Sequence, residues 1–286
     1  MKALLHFYST LLLLAFPLIA PSDGNAASTK TRPIILATTT STQDSGLLDL
    51  LVPLFEKSSG YSIKTIAVGS GQAMKMGEKG EADVLLVHSP EAEKQFMAAG
   101  FGTNRRLVMH NDFIIVGPLT DPAKIRSVSG VADAMGRIAA SGEIFISRGD
   151  NSGTHAKEKT FWKAAGISPE AGKWYQETGL GMGQTLNVAA EKRGYTLTDR
   201  ATYLAMKKRL GLVILSEGAS SQLNIYHVIE VDQQKWPMVN GAGGKAFADF
   251  MVSRKTQQTI GSFGSEKFGE ALFFPDAGRK PSELGL

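Results

Sequence analysis

Seven residues, Arg148-Gly149-Asp150-Asn151-Ser152-Gly153-Thr154, carry the densest chemistry in the chain. They follow an apolar segment and precede a run of helical character. Arg148 supplies a permanent cation whose planar fork suits a tetrahedral oxyanion two bonds at a time. Ser152, Gly153 and Thr154 add hydroxyl and N–H donors at the start of the following helix. Asp150 has two roles open to it: holding Arg148 or the turn in place, or accepting a proton from a protonated ligand. An ordinary Asx-type turn beside a surface arginine would use the same residue types. Two other turns repeat the pattern without a cation. Thr38-Thr39-Thr40-Ser41 sets four hydroxyls in a row, and Ser70 stands between Gly69 and Gly71, where the backbone can approach a ligand closely. Thr185, after the alternating glycines 179, 181 and 183, is a further case. Serine and threonine are preferred helix N-caps in any protein, so the argument rests on their recurrence at several turns.

The elements around these turns explain why the recurrence matters. Pro33-Ile34-Ile35-Leu36-Ala37 reads as a buried strand, and Leu47, Leu48, Leu50, Leu51 and Leu54 then recur at helical spacing. A second cycle runs from a strand over 63–68 through the Gly69-Ser70-Gly71 turn to a helix over 73–79. A third strand over 82–87 and a helix over 90–99 follow, then strand 113–118, a helix over 128–141, strand 143–147, the Arg148 turn and helix 156–165. Residues 198–208 read as helix, 211–215 and 226–231 as strands, and 244–253 and 256–263 as helices. Alternation of this kind means α/β architecture with mainly parallel sheets flanked by helices. In such sheets ligands bind outside the carboxyl ends of strands, where helix N-termini present free N–H groups and partial positive charge. The strands near Phe113 and Val228 are the places where one half of the chain would hand over to the other.

The N-terminus adds a separate expectation. A basic start, an apolar run from Leu11 to Ala20 and the small-residue segment Gly24-Asn25-Ala26-Ala27 describe a secretory signal cleaved after Ala26. The apolar run is near ten residues, against about 20 for a membrane span. Removing the first 26 of the 286 residues leaves 260, enough for one large domain or two ordinary ones. There is no cysteine, so an exported chain of this length would rely on packing rather than disulfides. The net charge of +4 is scattered singly or in pairs such as Arg105-Arg106, with no basic stripe for nucleic acid.

Enzyme motifs are weak or missing. No G-x-S-x-G elbow, H-E-x-x-H helix or G-x-x-x-x-G-K-[ST] loop is present. His155 beside Thr154 is the nearest approach to a nucleophile–base pair. His88, His110 and His227 are dispersed without metal-ligand spacing. Trp162, Trp174, Tyr175 and Trp236 read as packing residues. No cofactor and no metal site are expected.

The Arg-Gly-Asp-x-Ser-Gly-Thr segment resembles the anion-gripping turn of periplasmic phosphate-binding proteins. The chain as a whole is more similar to the tungstate-binding proteins of ABC importers. The similarity lies in Ala37-Thr38-Thr39-Thr40-Ser41-Thr42-Gln43-Asp44-Ser45-Gly46, Ala67-Val68-Gly69-Ser70-Gly71-Gln72-Ala73, Gly80-Glu81-Ala82-Asp83-Val84, His110-Asn111-Asp112-Phe113 and Ser147 through His155. It implies a two-lobed periplasmic-binding-protein fold of the α/β class, each lobe a mainly parallel sheet flanked by helices, with two hinge crossovers. Lobe 1 would comprise 32–114 and 228–286, and lobe 2 115–227. The ligand would be tungstate, with molybdate possible, held by Thr39, Thr40, Ser41 and Ser70 from one lobe and by Arg148, Ser152, Gly153 and Thr154 from the other. A periplasmic monomer delivering its anion to a membrane permease, with no enzymatic activity, completes the expectation. A phosphate-binding protein is the alternative, kept open by Asp150, and a secreted hydrolase is a more distant one.

Overall fold

The computed structural model describes residues 32–284. The expected signal sequence lies outside these residues. Among the described residues no helix is long and apolar enough to cross a membrane.

The first half is built from strand–turn–helix cycles. Strand β1 (Ile34–Thr39) leads through the short α1 (Thr40–Asp44) into α2 (Leu47–Ser59). Strand β2 (Ile63–Val68) is followed by α3 (Ser70–Glu78), and β3 (Val84–Val87) by α4 (Pro90–Ala98). β1 pairs in parallel with β2 on one side and β3 on the other, with Thr39 opposite Val68. The turns after all three strands therefore emerge at one sheet edge. The continuous apolar runs of β1 and β3 are buried on both faces, as a sheet covered by helices requires.

The long strand β4 (Gly102–Pro118) organises the rest. After it come α5 (Val131–Ser141), β5 (Phe145–Ser147), α6 (Gly153–Ala164), β6 (Tyr175–Glu177), α7 (Met182–Lys192), β7 (Thr196–Asp199), α8 (Arg200–Leu210), β8 (Leu212–Ser216), β9 (Leu223–Val231), α9 (Gly241–Val252), α10 (Arg254–Ser262), α11 (Ser265–Phe268) and β10 (Phe274–Pro275). β4 changes partners along its length. From Gly102 to Asp112 it pairs with β9 and from Phe113 to Pro118 with β7 and β8, all antiparallel. Arg200 on α8 makes two 2.7 Å bonds to the Asp112 carboxylate at that change-over. The sheet is thus parallel where β2, β1 and β3 meet and antiparallel where β9 and β4 join them; β5 and β6 form a separate parallel pair.

The α/β reading stands, with local corrections. Residues 102–112, with Asn104, Arg105, Arg106, Asn111 and Asp112, form a strand although they offer no continuous apolar run. They are held by their ladder with β9 and by side-chain pairs such as Arg106 with Glu230. Thr198 belongs to β7 rather than to the following helix, because Asp199 is the N-cap of α8 and accepts the Thr202 amide at 2.9 Å. Phe145, Trp162, Trp174 and Tyr175 pack edge-on, tilted or stacked with centroids 5.0–6.2 Å apart, as expected of core aromatics.

Candidate functional site

The hydroxyl-bearing turns and the Arg148 turn meet. Gly69 lies so close to Ser152 that an added Cβ would sit 3.1 Å from its Cα, and Gly71 packs as closely on the Asn151 carbonyl. Gly153 is pressed against His88, whose carbonyl oxygen would be 2.7 Å from a Cβ there. Any side chain at Gly153 would force the two turns apart. The starts of α3 and α6 therefore converge on one locus, each contributing free backbone N–H groups.

Arg148 is the centre of this arrangement. Its side chain is 1% exposed, which for a cation demands compensation. Nη2 donates to Asp150 Oδ2 at 2.5 Å and to Thr40 Oγ1 at 3.1 Å. Nε and Nη1 are buried with no hydrogen-bond partner, and so is Thr154 Oγ1. A buried guanidinium edge and a buried hydroxyl, both unpaired, are the donor set an oxyanion satisfies. Asp150 does not face that set as a free acceptor: its other oxygen takes the Ser152 amide at 3.1 Å. The carboxylate holds Arg148 and the turn, the first of its two open roles. The turn's shape depends on left-handed backbone at Gly149 (φ 59°) and Asn151 (φ 57°). At Gly149 a Cβ would also meet Glu177 at 2.6 Å.

The hydroxyls of the first turn divide by what already bonds them. Thr38 donates to the Leu86 carbonyl at 2.8 Å and is a structural tie. Thr39 caps α1 and contacts the hydroxyls of Ser41 and Thr42. Thr40 Oγ1 accepts from Arg148 and, at 3.3 Å, from the Met182 amide, which leaves its own proton to donate. Ser70 Oγ accepts the His88 amide at 3.4 Å and likewise keeps its proton. Ser152 Oγ serves as the N-cap of α6. All eight expected residues lie in or directly beside this locus, and Thr39, Ser41, Ser70, Arg148, Ser152 and Thr154 are buried. Thr185, by contrast, bonds Thr178 and the Leu180 carbonyl.

His88 is the residue that sequence reasoning missed. Its Nε2 lies 3.2 Å from Ser41 Oγ, its amide reaches Ser70, and its ring rests on Tyr226 with centroids 4.7 Å apart. Burial, then the neighbouring Arg148 cation, pushes its imidazole down to about 3, so it is neutral. Its position just past the carboxyl end of β3 was the available signal. Ser41 and His88 form a hydroxyl–imidazole pair, but His88 Nδ1 has no hydrogen-bond partner and so no carboxylate orients it as a base. His155 Nδ1 accepts the Asn151 amide at 3.1 Å. Among the described residues no cluster of three His, Cys, Asp or Glu is placed to hold a metal. An open groove of about 840 Å³, lined by Leu119, Arg126 and residues of β8, contains none of these residues.

Comparison with known proteins adds relatives to this geometry. A family model for the PBP superfamily domain matches residues 24–255. The chain is 47% identical to the tungstate-binding protein TupA of Peptoclostridium acidaminophilum, covering 98% of this chain and 100% of that one. It is 44% identical to the tungstate-binding protein TupA of Campylobacter jejuni, over 83% of this chain and 88% of that one. Among solved structures it resembles the tungstate ABC transporter structure from Geobacter sulfurreducens, with 46% identity, a TM-score of 0.75, and 81% of this chain and 99% of that chain covered. The tungstate-binding protein TupA from Desulfovibrio alaskensis G20 gives 49% identity and a TM-score of 0.71 over 86% of this chain and 100% of that one.

Proposed function

The chain belongs to the PBP superfamily, and from that premise we propose that it captures tungstate and hands it to an ABC importer. The observation that carries this reading is the unpaired buried donor set: Arg148 Nε and Nη1 with Thr154 Oγ1. Around it, Thr40 and Ser70 are bonded as acceptors and keep their protons, while Asp150 is engaged by Arg148 and by Ser152. Such a lining favours a fully ionised tetrahedral dianion. Phosphate carries protons at neutral pH and gains from an acceptor, whereas both Asp150 oxygens already take a bond, one from Arg148 and one from Ser152.

The ligand residues we assign are Thr39, Thr40, Ser41 and Ser70 on one side and Arg148, Ser152, Gly153 and Thr154 on the other. We divide the chain into lobe 1, residues 32–114 with 228–286, and lobe 2, residues 115–227. The partner exchange of β4 at Asp112 and Phe113 supports the first boundary. An anion bonded from both sides binds the closed form better than the open one and shifts the population towards closure. Residues 1–26 would export the chain to the periplasm, where the closed form would meet the permease. The protein acts by binding alone, since the Ser41–His88 pair lacks the orienting third group of a nucleophilic enzyme.

Titration calorimetry of the mature chain with tungstate, molybdate, sulfate and phosphate tests the reading. Tungstate is expected to bind most tightly, with molybdate next. A preference for phosphate would assign the site to the other transporter class, and turnover of an ester would replace binding with catalysis.

A further inference from the structure

Behind the Arg148 turn lies a carboxyl group that anion binding does not use directly. Glu158, on α6, is 1% exposed, and among the described residues no salt bridge joins it to a cation. It receives three hydrogen bonds from three elements: Ser147 Oγ on β5 at 2.8 Å, the Tyr175 hydroxyl on β6 at 2.9 Å, and Trp162 Nε1 one turn further along α6 at 3.0 Å. Burial pushes its carboxyl up to about 7, against the three donors that favour the ionised form. A buried acid without a cation is an unfavourable thing to keep, so what it touches is informative.

Its touch on Ser147 leads into the anion site. Ser147 immediately precedes Arg148, and its Oγ, while donating to Glu158, accepts the Gly149 amide at 3.2 Å. The two residues flanking Arg148 are thereby tied to the Glu158 carboxyl. The other edge of the turn is fixed by the segment after β6: Thr178 N donates to the Ser147 carbonyl at 3.0 Å and Gly179 N to the Arg148 carbonyl at 2.8 Å. Arg148 is therefore clamped at its backbone between Glu158 and the Thr178–Gly179 segment, while Asp150 holds one end of its guanidinium.

We propose that Glu158 is a positioning residue for Arg148, acting through Ser147 to fix the direction in which the unpaired guanidinium edge meets the anion. This rests on the proposed oxyanion site but goes beyond it, because Glu158 and Ser147 are not among the residues assigned to hold the anion. The competing role is a staple of α6 to β5 and β6, in which the link to Ser147 is incidental to binding.

A double-mutant cycle read by calorimetry with tungstate separates the two. S147A cuts the link yet leaves Glu158 with Trp162 and Tyr175; E158A removes all three bonds. Each is expected to weaken binding about tenfold or more, and E158A/S147A no further than E158A alone, the non-additivity of a shared path. E158Q, whose amide can accept from Trp162 and Tyr175 and donate to Ser147 Oγ, is expected to return affinity to within about threefold of the parent. Native near-UV circular dichroism is the control for folding. Wild-type affinity in S147A, or losses that multiply in the double variant, would overturn the inference, and S147A with E158Q suffices if E158A does not fold. R148A run in parallel keeps the failures apart: if R148A binds normally the oxyanion site itself is misplaced, and if only R148A fails the error lies with Glu158.

Discussion

The two walls of the site are built on opposite electrostatic plans. The wall from α6 carries the permanent cation, Arg148, and surrounds it with acids: Asp150 on the guanidinium and Glu158 behind the turn. The wall from β1, α3 and the end of β3 carries hydroxyls, helix N–H groups and one imidazole kept neutral by burial and by Arg148 itself. The cation is thus placed once, at a residue held on several sides, and the hydroxyls, N–H groups and neutral imidazole of the opposing wall contribute oriented dipoles. The lesson concerns selectivity. A wall whose hydroxyls already accept bonds from Arg148, Met182 and His88 has protons left over and few acceptor sites, so it rewards an anion with no proton of its own.

The largest effect should come from removing the single cation. R148A is expected to weaken tungstate binding by about 5 kcal/mol or more, since the dianion would lose its charged partner in a desolvated site. R148K keeps the charge but not the fork, and should recover only part of that loss. Calorimetry on both, with circular dichroism to confirm the fold, checks the assignment; R148A binding within tenfold of the parent would erase the distinction between the walls.

Stability against pH should tell the walls apart in opposite directions. His88 has a folded pKa of about 3 against an ordinary 6.5, so the unfolded chain binds its proton more readily between those values. Its contribution is fully present above pH 6.5 and is lost as pH falls towards 3, by roughly 4 to 5 kcal/mol if the whole shift is realised. Glu158 behaves in reverse. Its carboxyl rises from 4.5 to about 7 on folding, so stability falls as pH rises through that window and is level above it, a change of about 3 kcal/mol. The groups facing Glu158 are Ser147, Trp162, Tyr175 and, more remotely, Glu177. Urea unfolding from pH 4 to 8 should show a shallower acid-side loss in H88Q and a removed alkaline-side decline in E158Q. A curve unchanged by either substitution would mean that the buried group does not titrate with folding.

Much of this was legible in the chain, and the rest was hidden for identifiable reasons. The strand-to-turn-to-helix cycles were visible because β1 and β3 are continuous apolar runs and the turns after β1 and β2 carry hydroxyls. The first half of β4 was not visible, because Asn104, Arg106 and Asn111 are satisfied by partners 88 to 143 residues away. The Arg148 turn could be recognised as an oxyanion grip, but the role of Asp150 waited on geometry, since Arg148 and Ser152 decide it together. His88 and Glu158 escaped for a shared reason. Neither belongs to a recognisable motif, and the meaning of each lies in the burial and contacts that the fold supplies.

The finest division runs within one turn and makes the smallest prediction. Thr38 and Thr40 are near neighbours with the same hydroxyl, yet Thr38 donates its proton to the Leu86 carbonyl while Thr40 keeps its own. Ser70 and Thr154 resemble Thr40 in having a proton to donate. S70A and T154V should each weaken tungstate binding by about 2 kcal/mol, the value of a hydrogen bond to a charged acceptor. T38V should lower the melting temperature by removing a buried bond but leave affinity within about twofold. Sequence treats these hydroxyls alike, so the comparison asks whether their existing partners decide which of them can serve an anion. Equal affinity losses for T38V and S70A would show that proximity to the turn, rather than a free proton, is what matters.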